Sequence, residues 1–217
     1  MGNVFVDISV SLDGFVAGPN PTLDQPLGAG GERLHEWAYG LKSFREPHGL
    51  EGGETNLDSE VLDEAMARAG ASVMGRRMFS GGEGPWEEDP NRDAWWGDNP
   101  PFHYPVFVLT HHPRAPVTKE GGTTFTFVTD GIEAALEQAR SAAGEKDVAV
   151  AGGANAVQQY LSAGLLDELH LHVVPLLLGN GVRLFDNSPG DAPIVLEATR
   201  TLESPSGVRH LSYNVIS

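Results

Sequence analysis

The stretch at residues 147–161, DVAVAGGANAVQQYL, constrains the fold more than any other part of the chain. A short apolar run at 148–151 meets two consecutive glycines, Gly152 and Gly153, and a helix-compatible segment follows at 154–163. This order predicts a strand, a tight turn and a helix N-terminus in direct succession. Glycine permits a sharp turn and the close approach of a ligand, and the first amides of a helix attract anions. The segment predicts an anion-binding turn or, as the alternative, a turn that only closes a βα unit.

A second strand-to-turn junction lies at residues 71–82, ASVMGRRMFSGG. The predicted strand 72–74 ends at Gly75, and Arg76 and Arg77 follow as the only adjacent arginines of the chain. Because the planar guanidinium suits phosphate, the pair indicates a phosphate site. The alternative is a solvated arginine pair that balances the charge of nearby acids, namely Glu83, Glu87 and Glu88. Both junctions together fit a ligand with several phosphates, a dinucleotide above all, although no G-x-G-x-x-G fingerprint follows the first strand.

Composition narrows the class of protein. A chain of 217 residues with 40% hydrophobic content is long enough for one globular domain, which we expect to span residues 1–217. The formal net charge of −16 argues against nucleic acid and anionic membrane surfaces as partners. The absence of cysteine excludes disulfides and thiolate metal sites and fits a cytoplasmic protein. No apolar run approaches the roughly 20 residues that span a bilayer.

The pattern along the chain predicts an α/β fold. β-type runs and helical patterns alternate through the first two thirds, and a lid-like insertion rich in Gly and Pro occupies about 20–56 with a short helix at 32–44. We expect Asp58 to cap a helix that runs to residue 69. The last third holds β-rich segments without helices between them, at 167–178, 183–185, 194–202 and 208–216. The fold class is therefore a mixed sheet flanked by helices, with antiparallel C-terminal strands.

Five blocks of sequence now resemble a known superfamily. They are, in order, VDISVSLDGFVAG, VMGRRMF, PVFVLTHHP, VAVAGGANAVQQYL and ELHLHVVPLLLGNGVRLF. This series is similar to the dihydrofolate reductase-like superfamily, and most similar to the branch with the reductase domain of riboflavin biosynthesis. The resemblance implies a mostly parallel, eight-stranded mixed sheet that binds NADPH across the carboxyl ends of its strands.

The resemblance also implies individual cofactor contacts. A glycine turn holds the pyrophosphate, and a loop within the second block contacts the pyrophosphate and the 2′-phosphate side of the adenosine. A strand end flanks the adenosine, where a hydroxyl can bind the 2′-phosphate, and backbone near the start contacts the nicotinamide. In this order the residues are Gly152, Gly153, Ala154, Asn155 and Ala156; Gly75, Arg76, Arg77 and Met78; Leu109, Thr110 and His111; and Val16 and Ala17. We further expect that Gly153 tolerates no side chain, because a Cβ would meet the phosphates and the turn would require a positive φ.

Catalysis of hydride transfer needs a proton source near the substrate. Asp7 shares one face of the first strand with Ser9, and a carboxylate within a core strand is costly unless it has a partner. We assign Asp7 as the catalytic residue, the alternative being a structural aspartate bonded to backbone amides or an arginine. Ser9, Glu36 and Trp37 are assigned to the substrate side. Dihydrofolate reductases carry an acid on the helix after the lid loop, but the insertion prevents a match here.

Two histidines at i and i+2, His170 and His172, lack a third ligand nearby in sequence, so we expect ordinary sheet residues and no metal. The predicted function is an NADPH-dependent reductase of a small heterocycle, either a pyrimidine of riboflavin biosynthesis or a pterin/folate-like compound. The alternative is a non-catalytic NADPH-binding or sensing protein on the same fold. The apolar run VVPLLL and the β-rich last third predict a homodimer.

Overall fold

The computed structural model describes residues 2–22, 24–93, 96–186 and 193–216. Eleven strands lie within these ranges. They are β1 (Val4–Ser11), β2 (Phe15–Ala17), β3 (Ala69–Gly75), β4 (Pro105–Leu109), β5 (Val117–Thr118), β6 (Thr124–Val128), β7 (Asp147–Gly152), β8 (Glu168–Val174), β9 (Val182–Arg183), β10 (Val195–Glu203) and β11 (Arg209–Ile216).

The helices of the described residues are α1 (Glu36–Tyr39), α2 (Lys42–Arg45), α3 (Leu57–Arg68), α4 (Arg76–Ser80), α5 (Ile132–Ala143) and α6 (Ala154–Ser162). Short 3-10 turns lie at Gly31–Leu34, Glu46–His48, Trp86–Glu88 and Glu120–Gly122. None of the helices seen in these ranges is long and apolar enough to cross a membrane.

Nine strands form one sheet in the order β10-β11-β8-β1-β7-β3-β4-β6-β5. The strands from β8 to β6 run parallel to one another, whereas β11 pairs antiparallel with β8 and with β10. The two-residue β5 adds an antiparallel edge at the other side, and β2 pairs with β9 in a separate ribbon. The expected fold class is confirmed, with nine strands in the sheet rather than eight.

The central strands are apolar because both faces of the sheet are covered. Val4, Val6, Val73, Val148 and Val150 lie on neighbouring strands and are almost completely buried in the same core cluster. Continuous β-branched runs are typical of parallel strands that are buried on both faces. Within β1 only Asp7 and Ile8 are partly exposed. A polar side chain at this depth therefore requires partners.

The insertion folds as several short turns instead of one helix over 32–44. Leu41 has extended φ/ψ values of −81° and 143°, and this residue separates α1 from α2. Leu34 is fully buried against Val174 and Val208, so the insertion is packed on the last strands of the sheet. Its role as a lid stays a prediction.

Helix α3 begins two residues earlier than expected. Asn56 is the N-cap, because its side chain accepts a hydrogen bond from the Ser59 amide at 3.1 Å while the Ser59 hydroxyl accepts one from the Asn56 amide at 2.8 Å. This reciprocal capping box satisfies two helix-end donors at once. The predicted cap at Asp58 is wrong. Asp58 lies in the first turn and its side chain is buried toward the sheet.

Candidate functional site

The carboxyl ends of three parallel strands bring the predicted cofactor segments side by side. Gly152 at the end of β7 pairs with Met74 of β3, and Gly75 pairs with Leu109 of β4. Adjacent strands lie about 4.8 Å apart, so the turns that follow these residues start along one short line at the sheet edge. Met78 joins two of them, because its Sδ lies 3.5 Å from the position of a Cβ on Gly152. Open α/β sheets place ligands at this edge.

The two glycines of the turn at the end of β7 have different backbone conformations. Gly152 has φ 121°, a value that L-residues rarely adopt, whereas Gly153 has φ −41° and caps α6. The expectation of a positive φ at Gly153 is wrong, and the constraint belongs to Gly152. A Cβ built on Gly153 meets no described atom within 4 Å. Space is therefore open in front of the α6 N-terminus, whose first amides point toward an incoming anion.

The two arginines after Gly75 have different environments. The Arg76 side chain is buried, with its guanidinium 2.5 Å from Asp89 Oδ2 and 3.5 Å from the ring centroid of Trp86. Ser80 donates to the same Asp89 oxygen, and these contacts lower the pKa of Asp89 despite its partial burial, which acts to raise it. Arg77 is exposed and pairs with Glu83. Arg77 thus has the acidic partner that the alternative interpretation predicted, namely Glu83. Arg76 is held by a buried acid, Asp89, which the sequence did not indicate.

The end of β4 presents a partly accessible polar segment. The Thr110 hydroxyl accepts a hydrogen bond from the His112 amide at 3.1 Å, while the Thr110 amide donates to the Val128 carbonyl at 3.0 Å. His111 is exposed beside it. The Trp86 indole donates to the His112 carbonyl at 2.7 Å, which fixes this segment against the aromatic cluster around Arg76.

The nicotinamide contacts implied for Val16 and Ala17 lie in β2, which is anchored by an aspartate. Asp13 Oδ1 accepts from the Ser11 hydroxyl at 2.6 Å, and Asp13 Oδ2 accepts from the Gly179 amide at 2.7 Å. The hydrogen bond from Ser11 is the main cause that lowers the pKa of Asp13 to about 2. These bonds hold the β1–β2 turn against the segment before β9.

Asp7 has histidine partners instead of the amides or arginine considered for it. His172 Nε2 lies 2.7 Å from Asp7 Oδ1, and His170 Nδ1 lies 3.9 Å from Asp7 Oδ2. Burial acts to raise the pKa of Asp7, but the charge of His172 and its hydrogen bond outweigh burial and lower that pKa. Asp7 Oδ2 is buried and has no hydrogen-bond partner among the described residues. The pair of histidines is therefore more than ordinary sheet surface.

The contact continues beyond His172. His172 Nδ1 lies 2.8 Å from His210 Nδ1, and His210 Nε2 lies 2.8 Å from Asp58 Oδ1. Burial lowers the pKa of His210 more strongly than Asp58 raises it. Sequence reasoning missed His210 and gave Asp58 the wrong role, because the contact joins residues 152 positions apart.

The predicted substrate residues surround this cluster to different degrees. The Trp37 indole donates to Ser9 Oγ at 3.1 Å, and its ring centroid lies 5.0 Å from that of His172 and 5.4 Å from that of His210. Glu36 is exposed. Helix α3 follows the insertion in the chain, and Asp58 is its buried acid, whereas Glu60, Asp63 and Glu64 are exposed. Across the ranges that the structure describes, no group of three or more His, Cys, Asp or Glu residues is arranged to hold a metal ion.

Comparisons with known proteins agree with this architecture. The uncharacterized protein YyaP of Bacillus subtilis (strain 168) is 24% identical over 213 residues, covering 97% of this chain and 94% of YyaP. A putative riboflavin biosynthesis protein from Shewanella sp. PV-4 shares the fold with a TM-score of 0.62 at 21% identity, with full coverage of both chains. Dihydrofolate reductase from Enterococcus faecalis, complexed with NADP(H), shares it with a TM-score of 0.53 at 13% identity over 100% of this chain and 98% of its own.

Longer relatives contain the fold as a part. RibD of Acinetobacter baumannii matches with a TM-score of 0.57 at 16% identity, and the chain spans 59% of that protein. Residues 3–208 match the family model described as the RibD C-terminal domain. This match covers most of the chain, including the strand ends, the glycine turn, Asp7, Asp58 and His172, and it ends two residues before His210. The protein belongs to the RibD C-terminal domain family.

Proposed function

We propose that the protein is an NADPH-dependent reductase that transfers hydride to a small heterocyclic substrate. The substrate class is a pyrimidine of riboflavin biosynthesis or a pterin/folate-like compound. The register at the sheet edge carries this proposal, because it aligns Gly152, Gly75 and Leu109 on neighbouring strands. Membership of the RibD C-terminal domain family supports a reductase, and the NADP(H) complex of a structural neighbour supports the cofactor.

The residues at the edge fit a dinucleotide phosphate. The open space in front of Gly153 leaves the first amides of α6 accessible, so the pyrophosphate would be held there. Arg77 and Thr110 would meet the 2′-phosphate, since Arg77 is exposed and its acid partner is equally exposed. The side chain of Arg76 is paired with Asp89. The contribution to cofactor binding that was predicted for Arg76 would therefore come from its backbone.

On the substrate side the protein would orient the acceptor and supply a proton. The cofactor provides the hydride when bound, and catalysis then depends on holding the reacting carbon near it in a site with little water. Asp7 contacts His172, and Trp37 contacts both Ser9 and the His172 ring, so Asp7, Ser9 and Trp37 lie around one histidine and would line this side. Glu36 would contribute at the exposed rim.

Loss of nicotinamide absorbance tests the proposal. NADPH would be mixed with the protein and with 5-amino-6-(5-phosphoribosylamino)uracil or dihydrofolate, and NADH would serve as the matched control. We expect oxidation of NADPH with one of the two compounds, faster than oxidation of NADH. Tight NADPH binding without turnover of either compound would contradict a reductase of these classes and favour the non-catalytic binding protein.

A further inference from the structure

Four titratable side chains form one continuous hydrogen-bonded chain, of which Asp7 is partly exposed and the other three are buried. Asp7, His172, His210 and Asp58 are joined in this order by contacts of 2.7, 2.8 and 2.8 Å. His172 and His210 are each 3% exposed and Asp58 is 1% exposed. They come from β1, β8, β11 and α3, so four separate elements converge on the chain. Bulk solvent therefore does not satisfy these groups.

The geometry fixes how many protons the chain holds. Each of the three contacts joins two nitrogen or oxygen atoms at hydrogen-bond distance, and each requires one proton between them. Two neutral imidazoles supply only two N–H groups. The third proton makes one of the rings an imidazolium while both carboxylates stay ionised, and the chain carries a net charge of −1.

The surroundings identify the charged ring as His172. It lies between the ionised Asp7 and the neutral Nδ1 of His210, and the pKa of His210 is lowered by burial. The indole of Trp37 also lies against the His172 ring, where an aromatic face favours a cation. Burial is the main cause that lowers the pKa of His35 to about 4, and a charge on His172 would act in the same direction.

We propose that this chain stores one extra proton and delivers it through Asp7 to the substrate during reduction. The inference rests on the proposed function and extends it to the source of the proton. Asp7 is the catalytic residue because it would touch the substrate. His172, His210 and Asp58 act through it and are positioning residues.

The step balances in atoms and electrons. The carbon of a C=N or C=O bond in the substrate would gain a hydride, which a reduced nicotinamide dinucleotide would supply, and a new C–H bond would form. The electron pair of that double bond moves to the nitrogen or oxygen. The Nε2 proton of His172 passes to Asp7, and the carboxylic acid so formed turns about its Cβ–Cγ bond and protonates that atom. Asp7 Oδ2, buried without a hydrogen-bond partner among the described residues, marks the end of the chain from which the proton leaves.

The same geometry explains how the hydrogen-bonded chain regains its extra proton. After delivery, only two protons remain for the three contacts. In one contact two lone pairs then face each other with no proton between them, and the hydrogen-bonded chain regains a proton from solvent. A cavity of about 130 Å³ borders the hydrogen-bonded chain. It has room for several water molecules, each of which occupies about 30 Å³. Polar and charged side chains line it, among them His170, His210, Ser212, Arg68, Arg200 and Glu64.

Charged groups outside the chain also act on its titration. His170 faces Asp7 Oδ2 and pairs with Glu168, and Arg68 holds Glu168 by two further bonds. His35 faces His172 from the insertion. These groups are present in every variant used below, so differences between variants report the chain itself.

Nitrogen NMR of histidine-labelled protein tests the stored proton directly. At pH 7 without ligands, we expect both ring nitrogens of His172 to be protonated and His210 to be the neutral Nε2–H form. Asp58→Asn keeps an oxygen acceptor for His210 but removes a negative charge, so we expect the extra proton to be lost from the hydrogen-bonded chain at a lower pH than in the parent. His48→Gln is the matched control, since His48 is exposed and contacts Phe44 instead. A His172 ring that is neutral at pH 7 in the parent overturns the inference without any variant.

The delivery step is tested by the pH profile of NADPH oxidation with the compound that the parent turns over. In Asp58→Asn the alkaline limb of kcat is expected to move down by the same amount as the NMR titration, while His48→Gln leaves it in place. In one outcome the parent turns over the compound, and the kcat profile of Asp58→Asn stays in place although the NMR titration moves. This result would overturn proton delivery and leave the proposed function standing. A parent that oxidises NADPH with neither compound contradicts both the function and the delivery step.

Discussion

Replacement of the two glycines after β7, one at a time, separates ligand binding from folding. Gly153→Ala places a methyl group in open space, where no described atom lies within 4 Å, on a backbone with φ −41°. We expect a change in folding free energy within about 0.5 kcal/mol, as for an unstrained surface site. The same methyl group faces the direction from which a pyrophosphate would approach the α6 amides. Loss of one charge-assisted contact costs about 1.5–3 kcal/mol, which is a loss of NADPH affinity of about ten- to a hundredfold.

Gly152→Ala is expected to give the opposite pattern. Its φ of 121° forces an alanine into a strained conformation, and the new Cβ lies 3.5 Å from Met78 Sδ. The cost is about 1–3 kcal/mol of folding free energy. Urea unfolding measures stability and quenching of protein fluorescence measures NADPH binding. A Gly153→Ala protein that binds NADPH like the parent would show that this turn only closes the βα unit.

Four further predictions concern charges and assembly. Arg76→Ala leaves the carboxylate of Asp89 buried without its ion pair, and urea unfolding should show a loss of about 3 kcal/mol. Arg77→Ala should weaken NADPH about tenfold in calorimetry and leave NADH unchanged, and equal losses for both would refute its contact with the 2′-phosphate. Glu168 has its pKa lowered to about 2, chiefly by Arg68, so its contribution is present above its ordinary pKa of 4.5 and is lost as the pH falls toward 2. Acid unfolding should show a decrease of about 1–3 kcal/mol over that window, which Glu168→Gln abolishes. The exposed edge strand β10 should pair with a second copy, and light scattering should give twice the mass of one chain; a single-chain mass at micromolar concentration would refute the homodimer.

The sequence was sufficient for the elements whose pattern is local. The apolar run, the glycine pair and the helical segment from residue 147 onward appear as β7, the turn and α6 with shifts of at most one residue. The order of the strands was not predicted, because periodicity alone does not specify which strands pair.

The insertion and the caps were harder to predict because several local signals compete there. Asn56 and Asp58 are both good capping residues, and only the Ser59 side chain, which completes the capping box, decides between them. Over residues 32–44 the helical pattern is interrupted at Gly40 and Leu41, where the chain turns instead to bond with Glu54. Such long-range contacts override weak helical propensity.

The histidine chain shows most clearly what lies beyond a single sequence. Asp7 and His172 were both noticed, yet their contact depends on the parallel register of β1 with β8, and the next contact depends on the antiparallel register that sets His172 opposite His210. A slip of one residue in either pairing would turn these side chains to the other face of the sheet. A buried charge without its partner is costly, so the chain of contacts disfavours such slips. β8 lies between the parallel and antiparallel parts of the sheet. The side chains that would store the proton are thus the same ones that fix the register between these two parts, and their loss should affect stability and pH dependence together.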